Sequence, residues 1–165
     1  MLQKKHGLLL TSVKRNAMGS EKIRKIKLKV DDDPCCSIYG LVSPEPAYKL
    51  CLELNNLLGS ALRNDTPVAV YETEEDKILF TRFSDFETAP WKWISLVSNR
   101  SDSKYLIKKL ANIDYLLLHF DETDEEHGDK EFAASVRKSD LINGIFSVDM
   151  SLIDKNILES LTPNL

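Results

Sequence analysis

From Lys22 to Val30 polar and apolar residues alternate, with Ile26, Leu28 and Val30 set between Lys25, Lys27 and Lys29. A period of two predicts a half-buried strand, and lysines on its outer face would deter edge-to-edge pairing. Asp31 to Pro34 predicts a turn, and Cys36 to Val42 a second strand. The period then changes. Ala47, Leu50, Cys51, Leu54, Leu57 and Leu58 recur at helical spacing, with Lys49, Glu53 and Asn56 on the opposite side. Ser43-Pro44 supplies a capping hydroxyl followed by a first-turn proline, and Gly59 a stop, so the helix is expected to open there and end at Leu58.

Beyond the helix, Val68–Glu72 and Lys77–Phe83 flank the acidic turn Thr73–Asp76 and predict a hairpin. Ser84–Pro90 reads as a connector and Trp91–Ser98 as a strand, with Trp91, Trp93 and Ser95 on one face and Ile94 and Leu96 on the other. Asn99–Ser103 reads as a polar turn. Ile113–Phe120 is almost wholly apolar, the mark of a central strand. An acidic loop (121–131) precedes a short helix, Glu131–Lys138, that presents Phe132, Ala133 and Val136. Asn143-Gly144 turns into a strand, Ile145–Asp149. Ile153, Ile157, Leu158 and Leu161 mark a terminal helix after Ser151–Asp154. The predicted fold class is α+β: a single mixed or mainly antiparallel sheet with about two helices on one face, the C-terminal helix being an optional addition.

Length adds one bound. A chain of 165 residues suits one domain that needs no metal or disulfide to fold. Charge is unevenly spread: the first 29 residues hold nine Lys and Arg against one acid, leaving 13 basic and 25 acidic residues in the remainder. Residues 1–21 therefore read as a disordered basic leader, with Met18 an alternative start, and 22–165 as the domain. So acidic a body repels phosphate, which argues against nucleic acid as a partner. The longest apolar runs, Leu8–Leu10 and Tyr115–Leu118, are too short for a membrane span or a signal peptide. Cys35, Cys36 and Cys51 form no disulfide framework, and reduced thiols suit a cytoplasmic protein.

Catalytic motifs are hard to find. Glycines 7, 19, 40, 59, 128 and 144 stand singly, so no phosphate-cradling loop exists. Cys36 with His119 is the one nucleophile–base pair to weigh, against the plainer reading of two core residues. Asp121–Asp129 lacks the alternating oxygens of a calcium loop and the nitrogen or sulfur ligands zinc would want. No catalytic, cofactor-binding or metal-binding residue is therefore expected, and no cofactor. Trp91 and Trp93, near Phe83 and Phe86, are either a helix-covered core face or an exposed aromatic patch of the kind found at binding hot spots.

Ile107-Lys108-Lys109-Leu110-Ala111-Asn112-Ile113-Asp114-Tyr115 resembles the signature of the bacterial IPExxxVDY family, with Ile113 for Val and Lys108-Lys109 for Pro-Glu. Segments around Tyr48–Gly59, Phe80–Phe83 and Leu96–Asn99 are similar to that family as well. The resemblance implies a small cytoplasmic protein with no assigned activity, and it carries over no catalytic residue. Asp114 would cap a turn or meet a partner, and Tyr115 would set its hydroxyl at the rim.

These readings converge on a non-enzymatic interaction or regulatory module. Its surface would be Trp91, Trp93, Asp114 and Tyr115, and its partner another protein or a second copy, with no membrane involved. The alternative is a small-molecule-binding domain or an unrecognised enzyme. A third reading has the basic leader binding nucleic acid.

Overall fold

The computed structural model describes residues 36–87, 93–120 and 126–163, with backbone alone for 126–129. The predicted leader and the strand Lys22–Val30 lie outside the described residues. In chain order the strands are β1 (Cys36–Val42), β2 (Arg63–Tyr71), β3 (Lys77–Asp85), β4 (Trp93–Ser98), β5 (Arg100–Ser101), β6 (Lys104–Tyr105), β7 (Tyr115–Phe120) and β8 (Gly144–Ser147). The helices are α1 (Ala47–Leu58), α2 (Glu126–Val136) and α3 (Lys155–Leu161). Six strands form one sheet in the order β2-β3-β4-β7-β1-β8, every pair antiparallel, while β5 and β6 make a small ribbon of their own. The α+β class holds, with a mainly antiparallel sheet.

The apolar run of β7 lies inside the sheet, between β4 and β1, because residues of both parities must be buried there. Its odd positions join Leu41, Leu96, Leu50 and Phe132 under α1 and α2. Its even positions, Leu116 and Leu118, join Ile38, Trp93 and Phe80, covered by the 106–113 segment, by Ile153 and by Leu161 of α3. Strand alternation thus divides the core into two layers. The glycine in β1 is set by this packing: a Cβ on Gly40 would come within 2.9 Å of Ile113 Cδ1.

Several boundaries differ from expectation, four of them for a clear physical reason. α1 starts at Ala47, with Pro46 extended at φ −68°, ψ 151°. Pro46 disfavours a helical conformation at Glu45, so the helix waits for it. The Ser43 hydroxyl instead donates to the Leu141 carbonyl at 2.6 Å and accepts from Glu45 N at 3.2 Å. Gly59 does close the helix, in the left-handed region at φ 64°. β2 begins at Arg63 because a bulge between Asp65 and Val68 lets pairing resume past Pro67, which has no N–H to give. α2 begins at Glu126, inside the expected acidic loop, since glutamate and lysine are good helix formers whatever their solubility. Finally, Asn99–Ser103 is no simple polar turn: Asn99 is fully buried and β5 and β6 follow it.

Candidate functional site

The predicted contact surface is not assembled. Trp91 lies outside the described residues. Trp93 is 2% exposed and belongs to the α3-side layer, so its indole is not available to a partner. The structure selects the core-face reading for Trp93 because β4 is an interior strand, covered on both faces.

Asp114 and Tyr115 are spent largely within the fold. Asp114 accepts from Ser43 N through Oδ2 at 3.0 Å and pairs with Arg100 Nε through Oδ1 at 3.2 Å. Its backbone N–H donates to the Leu41 carbonyl. The Tyr115 hydroxyl donates to the Glu45 carbonyl at 2.6 Å. Burial, with Asp114 and Glu45 nearby, pushes the Tyr115 phenol above its ordinary pKa. Both residues therefore fasten the β1–α1 connection to β7.

Asn99 organises the same region. Its amide donates to the carbonyls of Leu110 and Ile113, each at 2.9 Å, and its side-chain oxygen accepts from Ile107 N at 2.9 Å. Its own N–H reaches the Asp114 carbonyl, and its carbonyl accepts from Leu106. One buried amide thereby holds both ends of the Leu106–Asp114 segment.

Cys36 and His119 cannot act as a pair. Cys36 is in the α3-side layer, whereas the His119 ring clusters with Tyr39, stacked 5.9 Å away, and Phe132, tilted 4.1 Å away, in the layer under the two longer helices. The sheet separates them. Cys51 donates to the Leu62 carbonyl at 3.3 Å and its thiol is pushed up by burial, which suppresses the nucleophilic thiolate. Among the described residues no three His, Cys, Asp or Glu side chains converge as metal ligands. No helix among them is long and apolar enough to cross a membrane.

The described residues also line a cleft of about 440 Å³ on the α3 side. Its floor comes from the distal half of the β2–β3 hairpin, one wall from Tyr105–Lys109, and the other from Leu152, Asp154 and Ile157. Phe80, Leu106 and Ile107 lie deep in it and are almost wholly buried; Leu152, at the mouth, is 40% exposed. Glu72, on the rim, bonds Lys104 Nζ at 2.6 Å. That bond lowers the Glu72 carboxyl pKa and raises that of Lys104, and Lys108 adds a further downward pull on Glu72. Lys108 and Lys109 are exposed and form no ion pair with another described residue. Among the described residues the lining contains no cysteine, serine or histidine. It can hold an apolar body and a negative group, and it brings no nucleophile–base pair to them.

The floor was written in the sequence as ordinary strand residues, and the lysines stood out only as the departure from the signature. Nothing in a one-dimensional pattern places α3 opposite them. The chain matches no protein-family model and no curated protein.

Proposed function

We propose that this chain is a non-catalytic domain that binds a small amphipathic molecule. The observation that carries the reading is the cleft: an apolar floor under a rim of charged side chains, of a volume within the range of small-molecule sites, roughly 300–1,000 Å³. The cytoplasmic setting and the likeness of Ile107–Tyr115 to the IPExxxVDY proteins belong to the same proposal. Within it, the Lys108-Lys109 replacement falls on the cleft wall.

The protein-interaction reading keeps one observation in its favour, away from the tryptophans. Tyr48 and Leu52 stand one turn apart on α1 and are 64% and 63% exposed. Such a pair suits a contact with another protein, but it names no partner chemistry.

A thermal-shift screen of small apolar acids, alcohols and amines separates the two, because a ligand that binds only the folded chain raises the melting temperature by mass action. The binding-domain reading expects at least one class to stabilise the protein, and Leu152→Glu, at an exposed position on the mouth, to abolish the shift. Absence of any stabilising compound, or shifts unchanged in that variant, would reject it.

A further inference from the structure

We infer that the cleft selects an apolar monocarboxylate, its hydrocarbon on Val70, Ile78 and Leu152 and its carboxylate at Lys108 and Lys109. The inference rests on the small-molecule reading above and adds the sign of the ligand's charge. The argument is one of charge complementarity. Beyond residue 29 acids outnumber bases by 25 to 13, yet Lys108 and Lys109 stand side by side on one wall, with Lys104 just before that wall in the chain.

These three lysines do not share one fate. Lys104 is committed to Glu72 at 2.6 Å, and that pair neutralises itself. Lys108 feels the same carboxylate only at longer range, and Lys109 has no ion-pair partner among the described residues. The cleft's other carboxylate, Asp154, stands on the opposite wall and pairs with neither lysine. Two ammonium groups thus border an apolar floor without a described counter-charge in contact. Burying hydrocarbon there supplies affinity in proportion to area, and a carboxylate at the rim meets charged donors without leaving water altogether. A neutral chain of equal length would gain the first contribution and not the second. A cationic one would face the lysines.

Octanoate and 1-octanol are matched probes for this choice. Each is titrated into the ¹⁵N-labelled full-length protein while the backbone amides of Leu106–Lys109 are followed. Octanoate is expected to bind more tightly than octanol. In the double variant Lys108→Ala/Lys109→Ala its affinity should fall about tenfold, with octanol changed less than about twofold. Circular dichroism confirms that the variant is folded, as exposed positions should allow. If both probes move these amides with equal affinity, or the variant weakens both alike, the carboxylate assignment is overturned while the cleft stands as a binding site. If neither probe moves them up to its solubility limit, the small-molecule reading falls with it.

Discussion

Residues 104–115 run through two regions with opposite chemistry. In Leu110–Tyr115 polar groups are matched inside the protein: Asn99 takes the carbonyls of Leu110 and Ile113, Asp114 takes Ser43 N and Arg100, and Tyr115 reaches Glu45. In Tyr105–Lys109 the backbone is anchored by the same asparagine, but Lys108 and Lys109 form no ion pair with a described residue. Arg100 links the two, pairing with Asp114 and lying 5.2 Å over the Tyr105 ring. A polar side chain already satisfied within the fold reports on stability. One left over beside an apolar cleft is the kind the proposed binding site would use. The family-like segment contains both kinds, so resemblance alone could not sort them.

The comparison breaks hardest at Asn99. Truncation to alanine orphans one buried N–H and two carbonyls at once, and each unsatisfied buried group costs about 1–3 kcal/mol. Asn99→Ala is therefore expected to lower the unfolding free energy by about 3 kcal/mol or more, read from urea midpoints at an unchanged slope. A loss below about 1 kcal/mol would mean that water replaces the amide and that the knot is not held by it.

A subtler break lies at Tyr115. Tyr115→Phe deletes one hydrogen bond and should cost about 0.5–1.5 kcal/mol at neutral pH. The pH dependence has a definite sign. Folding raises the phenol's pKa, so the folded state favours the protonated form; the stabilisation is complete below the unfolded value near 10 and is lost as pH climbs through the higher folded value. Wild type should lose stability above about pH 10 more steeply than Tyr115→Phe, in parallel denaturation series. Superimposable alkaline limbs would show that the hydroxyl is solvated rather than held by Glu45.

Much of the fold was legible because periodicity reports burial. β1 matches its expected limits, and the apolar run of β7 foretold an interior strand. The site was not legible, for three physical reasons. A buried asparagine and a turn asparagine are the same letter, and only the three-dimensional arrangement around Asn99 distinguishes them. Alternation placed Trp93 on a face without saying that α3 and the 106–113 segment would cover that face. And the cleft is a long-range product, joining hairpin, ribbon and terminal helix, elements that local pattern treats separately.

The smallest expected effect sharpens the comparison most. Lys108→Ala/Lys109→Ala removes two exposed charges that bond nothing described, so unfolding free energy should stay within about 0.5 kcal/mol of wild type. One small change has a known direction: Lys108 is one of the charges that lower the Glu72 carboxyl pKa, although Lys104 is the larger cause. Glu72 lies on the surface, where such coupling contributes little to stability and is screened by salt. Denaturation in low and in high salt is the check. A loss above about 1 kcal/mol at both would show that these lysines brace the 3-10 turn Lys108–Leu110. They would then belong with Asn99 and Asp114, and the division between a bolted half and an available half would disappear.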